Sequence, residues 1–173
     1  RWCHLTNIDV RPEIVAACDM NPGLFDWFRG HFSAVKLYTS DYHELLACPE
    51  VDAVYCAVPH HLHEQIYCDI IRAGKHLFGE KPFGIDKAAN DAVMACIAEH
   101  SQVFVRCCSE FPFYPAMQRM GELIESGFFG RLIEVNAGFL HSSDLNPEKP
   151  INWKRMIQFN GAYGVMGDLG MHV

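Results

Sequence analysis

The 173-residue chain lacks any apolar run near the roughly 20 residues that a bilayer-spanning helix requires. A helical membrane anchor and a membrane partner are therefore excluded as readings of this stretch. Positive charge is also scarce: 14 Lys and Arg stand against 21 Asp and Glu, a net charge of -7. No basic face stands out that would neutralise a phosphate backbone, so nucleic acid is not an expected partner. There is no C-x-x-C pair among the eight cysteines and no zinc-type spacing, and no metal site is expected. Most of these thiols lie inside apolar runs, such as Cys56 in Ala53-Val54-Tyr55-Cys56-Ala57-Val58, where cysteine acts as a small core residue. That usage implies a reduced, cytoplasmic protein. Internal repeats, low-complexity tracts and flexible linkers are absent too. The chain opens on Arg1-Trp2 with no signal-peptide pattern, and its natural start is expected upstream.

What is present is an ordinary globular mix, with half of the residues hydrophobic and so enough apolar surface for a core. Ile14 to Cys18, Val35 to Tyr38, Val54 to Val58 and Val103 to Val105 are short apolar runs without polar alternation. Such runs suit parallel strands covered on both faces, and His76 to Phe78 adds a shorter candidate. Helical signals fill the gaps. Asp41 and Glu44 have capping-box spacing. Leu62, Ile66 and Ile70 recur every four residues before Gly74, and Asp86 caps a helix facing inward through Ala89, Val93, Cys96 and Ile97. This alternation predicts a doubly wound α/β domain over residues 1–108. Beyond it, Pro115 starts a helix bearing Met117, Met120 and Ile124 and closed by Gly127. Ile133, Val135, Ala137 and Phe139 then alternate with polar residues. That pattern predicts a strand of an antiparallel sheet, so residues 109–173 read as the start of a second, α+β domain.

Four strings carry chemistry. Asp19 ends the first clear strand. In a dinucleotide fold a carboxylate there accepts ribose hydroxyls and repels a 2′-phosphate, favouring NAD over NADP; an Asp after a strand also serves simply as a turn residue. The G-x-G-x-x-G loop that would precede it is absent, and its expected place falls upstream of Arg1. Residues 1 to about 6 read as the tail of the first helix. Pro59, His60, His61 and His63 form a loop after a buried strand, the usual ligand-binding place in such sheets, or merely start a helix. Gly79-Glu80-Lys81-Pro82 also lies at a strand end, where the Glu-Lys pair is either a solvated ion pair or a way to set an ammonium beside a cofactor. Finally, Asn160 to His172 contains Asp168 and His172 at helical i,i+4 spacing. A carboxylate there would raise the basicity of the imidazole and fix its tautomer, and an ordinary surface pair has the same spacing.

Taken in order, Val51-Asp52-Ala53-Val54-Tyr55-Cys56-Ala57-Val58-Pro59, His63, Ala73-Gly74-Lys75-His76, Glu80-Lys81-Pro82, Trp153-Lys154-Arg155 and Gly161 to His172 resemble the glucose–fructose oxidoreductase / inositol dehydrogenase family, Gfo/Idh/MocA. The resemblance implies a Rossmann domain followed by a substrate domain with an open, largely antiparallel sheet that often mediates homo-oligomers. It implies an NAD- or NADP-dependent oxidoreductase acting on a sugar, polyol or related secondary alcohol or ketone. On this carry-over Lys81 polarises the substrate oxygen, His172 takes its proton and Asp168 supports His172. Asp19, Pro59, His60, His63, Glu80, Lys81 and Pro82 line the cofactor, while Trp153 and Arg155 meet the substrate. One departure is Ser109-Glu110-Phe111, which replaces a basic residue often found there. The rival readings are an NAD-dependent glycosidase and a catalytically silent cofactor-binding sensor.

Overall fold

The computed structural model describes residues 12–140, 142 and 145–172. The helix tail read at residues 1–6 lies outside them. The chain divides into two compact units, Arg1–Ala53 and Val54–Val173, so the domain boundary expected near residue 108 falls inside the second unit.

In the first unit, β1 (Ala16–Cys18) pairs in parallel with β2 (Leu37–Thr39), Ala16 opposite Leu37 and Cys18 opposite Thr39. The run from Ile14 thus becomes strand only in its last three residues. Asn21 caps the Pro22–Leu24 turn that leads into α1 (Phe25–His31). At α2 (Tyr42–Ala47), Asp41 caps the helix by accepting the His43 N–H at 2.9 Å. The expected capping box does not close, because Glu44 instead accepts the Thr39 hydroxyl at 2.6 Å and the Asp41 N–H donates to Thr39 Oγ1. A nearby hydroxyl satisfies both groups that the box would have joined.

In the second unit, β3 (Ala53–Cys56), α3 (His63–Arg72), β4 (His76–Glu80), α4 (Lys87–Glu99) and β5 (Val105–Cys108) follow one another. The sheet order is β3-β4-β5, with β4 and β5 parallel and Glu80 opposite Cys108. Alternating helices and parallel pairing make this a Rossmann-like α/β fold. Burial on both faces is not seen even in β4: Leu77 and Gly79, on one face, are buried, His76 and Phe78 on the other are exposed, and β3 and β5 are partly exposed. The inward stripe of α3 is also rotated from the expected one. Leu62 precedes the helix and is exposed, Ile66 is half-buried, and His63, Tyr67, Ile70 and Ile71 form the inner face. Their polar atoms find carbonyl partners, which permits the inward placement. At the end of α3, Gly74 at φ +73° donates its N–H to Ile71 while Lys75 donates to Ile70, closing the helix in a Schellman motif. Asp86 caps α4 through the Ala89 N–H at 2.8 Å.

After residue 108 come α5 (Pro115–Glu125), α6 (Ile157–Asn160) and α7 (Gly164–Asp168). Gly127 closes α5 as Gly74 closes α3, yet α5 buries no residue. The strand expected over residues 131–140 does not form, and no antiparallel sheet occurs among the described residues. An alternating pattern becomes a strand only when another strand takes up its N–H and C=O groups, and no described strand lies beside it. None of the helices described is long and apolar enough to cross a membrane.

Candidate active site

The carboxyl end of β4 is fixed from below. Gly79 has no side chain because a Cβ there would lie 2.8 Å from the Tyr67 ring. Tyr67 then donates its hydroxyl to the Glu80 carbonyl at 2.6 Å. The Glu80 carboxylate accepts the Tyr55 hydroxyl at 2.8 Å; burial, and next the Glu80 partner, raise the Tyr55 pKa. The backbone then turns through the cis Lys81-Pro82 bond.

His63, expected as a cofactor contact, is fully buried, with Nδ1 against the Pro82 carbonyl and Nε2 at 3.0 Å from the Val58 carbonyl. Its ring stacks on Tyr67. Both nitrogens are occupied by backbone, so His63 fastens the loop after β3 to the loop after β4 rather than offering a free edge. Burial lowers its pKa against the pull of the two carbonyls. His60 is also buried. Its Nδ1 donates to Asn160 Oδ1, and the Asn160 amide donates to the carbonyls of Lys154 at 2.7 Å and Gly164 at 3.0 Å. Trp153 packs edge-on against the His60 ring, 5.0 Å between centroids. Asn160 thus joins the post-β3 loop to the Trp153–Arg155 turn and to the start of α7. In the sequence Asn160 is marked by nothing more than the Asn-Gly turn dipeptide that it forms with Gly161. Gly161 is required by two constraints: its φ is +75°, and a Cβ would lie 2.3 Å from the Ile85 carbonyl oxygen.

Asp168 is the electrostatic centre. Lys81 Nζ donates to its carbonyl at 2.6 Å and to Oδ1 at 2.7 Å. Lys154 Nζ reaches the same Oδ1 at 3.2 Å, and Arg155 Nη1 lies 3.7 Å from Oδ2. The Asp168 and Lys81 side chains are only 4% and 14% exposed. Burial raises the Asp168 pKa, but the hydrogen bond and charge of Lys81, joined by Lys154, outweigh it and hold the carboxyl below its ordinary value. Lys154, which had been assigned no role, therefore belongs to the site.

The expected Asp168–His172 pair is not made. The helix ends at Asp168, and His172 lies in a separate 3-10 turn, Gly170–His172. Three cations compete for the carboxylate far better than an imidazole does. His172 instead places Nδ1 3.3 Å from Ser109 Oγ and stacks on Phe111, 4.3 Å between centroids. Burial and then the Lys81 charge lower its pKa, so the ring is neutral near pH 7. Beside it a cavity of 460 Å³ is lined by Ser109, Phe111, Met117, Met120, Ile124 and His172 among others. In the first unit, Asp19 Oδ1 takes the Asn21 N–H at 2.7 Å, and Oδ2 accepts nothing from the described residues. Among those residues no cluster of three His, Cys, Asp or Glu could hold a metal.

Residues 4–107 match the model of the Gfo/Idh/MocA oxidoreductase family, which has an NAD-binding Rossmann fold. Levoglucosan dehydrogenase of Pseudarthrobacter phenanthrenivorans is 30% identical over 139 residues, 78% of this chain and 34% of that protein. D-xylose 1-dehydrogenase (NADP(+)) of Hypocrea jecorina is 30% identical over 172 residues, 95% of this chain and 43% of that protein. This chain therefore spans between a third and a half of the length of these relatives. A solved structure of levoglucosan dehydrogenase in complex with NADH and levoglucosan superposes with a TM-score of 0.87 at 25% identity, covering 95% of this chain and 44% of that one. With the family model matching more than half of its residues, the chain belongs to the Gfo/Idh/MocA oxidoreductases.

Proposed function

We propose that this chain carries the acid–base centre and much of the cofactor domain of an NAD(P)-dependent dehydrogenase. Its substrate is a sugar, polyol or related secondary alcohol, or the corresponding ketone in reverse. The observation that carries the reading is the buried Lys81–Asp168 pair at the end of β4, with His172 held neutral beside it. Relatives that act on levoglucosan and D-xylose support the substrate class.

The residues present fit a dinucleotide. Just after β1, Asp19 keeps a carboxylate oxygen that accepts nothing from the described residues, suited to ribose hydroxyls and to NAD over NADP. In the second unit, Pro59, His60, Glu80, Lys81 and Pro82 lie in loops at the carboxyl ends of β3 and β4, where doubly wound sheets bind ligands. His63 contributes by clamping those two loops together. When bound, NAD supplies the acceptor for the hydride that leaves the carbinol carbon. Asp168 occupies two of the Lys81 N–H groups, and the third is left to donate to the substrate oxygen. His172, donating Nδ1–H to Ser109, uses its Nε2 lone pair to take the hydroxyl proton as C–O becomes C=O. In the reverse direction the same groups return the proton. Trp153 and Arg155 border the substrate. A homo-oligomeric, cytoplasmic enzyme is the accompanying reading, supported by cysteines that lie mostly inside apolar runs rather than in a disulfide-type spacing.

The test is a panel of sugars and polyols with the full-length protein, following nicotinamide absorbance with NAD and NADP in parallel. Reduction of NAD by one class of substrate is the expected result. Tight NADH binding with no turnover of any substrate would turn the reading toward a sensor.

A further inference from the structure

The two buried histidines that follow β3 spend their nitrogens differently. His63 sets both against backbone carbonyls. His60 uses Nδ1 alone, on Asn160 Oδ1, and its Nε2 has no hydrogen-bond partner among the described residues. Nε2 is not sealed in, for it is not one of the buried polar atoms left without a partner. Asn160 decides where the proton of this ring sits. Its amide N–H pair faces two backbone carbonyls, of Lys154 at 2.7 Å and of Gly164 at 3.0 Å. Carbonyls only accept, so the amide cannot be turned over without setting its own oxygen against both of them. Oδ1 is therefore the atom that meets His60, and since it also only accepts, Nδ1 carries the hydrogen. Burial, the largest influence, holds the His60 pKa below its ordinary value; His63 and Lys154 add to this, and Asn160 and Asp168 oppose it. The ring is thus neutral near pH 7. A neutral ring protonated at Nδ1 has a lone pair at Nε2.

Resting on the dehydrogenase reading, we propose that Asn160 is a positioning residue that fixes His60 as an acceptor, and that His60 Nε2 receives an N–H of the cofactor's carboxamide. His60 lies on the loop after β3, where doubly wound sheets bind ligands. Its neighbours belong to the acid–base centre. Trp153 packs against the ring, and Asn160 holds the Lys154 carbonyl and the start of α7, the helix that ends in Asp168. The end of a dinucleotide that must come to this centre is the nicotinamide, because it takes the hydride. Its carboxamide N–H groups are donors, and a donor left unmet on binding costs affinity. Asp168 and Glu80 also accept, but they already serve Lys81, Lys154 and Tyr55. His60 Nε2 accepts without giving up a partner. A ring protonated at Nε2 would instead set donor against donor.

The experiment uses the full-length protein with isotope-labelled histidine. Nitrogen NMR of the imidazoles reads which nitrogen of His60 is protonated, with His60→Phe identifying the resonances. The expected result is a proton on Nδ1 and a bare Nε2 without cofactor, and a change at Nε2 as NAD binds. The acetylpyridine analogue of NAD carries a methyl where NAD has the amide nitrogen, so it should leave Nε2 nearly unmoved. In titrations NAD should lose about fivefold in affinity in His60→Phe and in Asn160→Ala, the scale of one neutral hydrogen bond. The analogue should lose far less, whereas a merely structural role of Asn160 would weaken both cofactors alike. The measurement on the parent protein and His60→Phe decide the matter where Asn160→Ala does not fold. A proton on Nε2 in the parent, or equal losses for the two cofactors, overturns the proposal. So does an Nε2 unmoved by NAD and moved by a sugar. Nicotinamide reduction alongside any of these results leaves the dehydrogenase reading standing, and binding of neither cofactor defeats both.

Discussion

Residues 54–108 and residues 109–151 use the same apolar side chains with opposite outcomes. In the first stretch Leu77 is fully buried, on a strand that pairs with β5 and packs against α3. In the second, Ile133 is 92% and Leu140 99% exposed. Side-chain chemistry does not separate these positions. The difference is whether another element covers them. Around β4 each polar group brought inward also finds a partner: Tyr67 on Glu80, His63 on two carbonyls, Lys81 on Asp168. The proposed chemistry is concentrated where side chains are held in this way, as acid–base work requires.

The comparison is broken or sharpened most strongly at Leu77. Leu77→Ala should cost about 2–5 kcal/mol in chemical denaturation of the full-length protein, as a cavity in a closed core does. A loss too small to resolve would mean that the β4 region is no better filled than residues 131–140. Next comes the site that this packing supports. Lys81→Met and His172→Ala should each lower turnover by roughly two orders of magnitude or more, with NADH affinity changing far less. Near-normal turnover in both would detach the buried region from the chemistry. Gly161→Ala should cost about 1–3 kcal/mol, because a side chain at positive φ is strained and its Cβ meets the Ile85 carbonyl. Thermal unfolding of the variant beside the parent measures it.

A pH profile gives a smaller effect. His172 has a lowered pKa, so its neutral, proton-accepting form persists below the ordinary histidine value. The acidic limb of kcat/KM for alcohol oxidation should therefore lie below about pH 6.5. In the residual activity of Lys81→Met the limb should move upward, since a neighbouring positive charge has gone. A limb unmoved by that substitution would show that Lys81 does not reach the imidazole. The smallest effect is expected at Ile133→Ala. In this structure the change removes surface that is already exposed, and stability should shift by less than about 0.5 kcal/mol. A loss comparable to that of Leu77→Ala in the full-length protein would mean that Ile133 is covered there, and would erase the contrast between the two stretches.

The sequence by itself determined what depends on near neighbours. Asp86 and Gly74 mark helix ends because a side-chain oxygen and a positive φ act within a few residues of backbone. Parallel strands are legible as short apolar runs, though β5 begins only at Val105, the last residue of the run that announced it. The ordered strings around Lys81 and His172 likewise disclosed the family. Only the tertiary structure decided which groups meet. Lys81 and Asp168 are 87 positions apart, and spacing along a helix suggested His172 as the partner of Asp168. The chain's path instead brought three cations to that carboxylate, turned His172 toward Ser109 and Phe111, and buried His63 between two carbonyls. Local patterns record backbone conformation and polarity; the partner of a charge depends on what long-range folding carries within a few ångströms of it, and there Coulomb attraction and desolvation choose among the groups present.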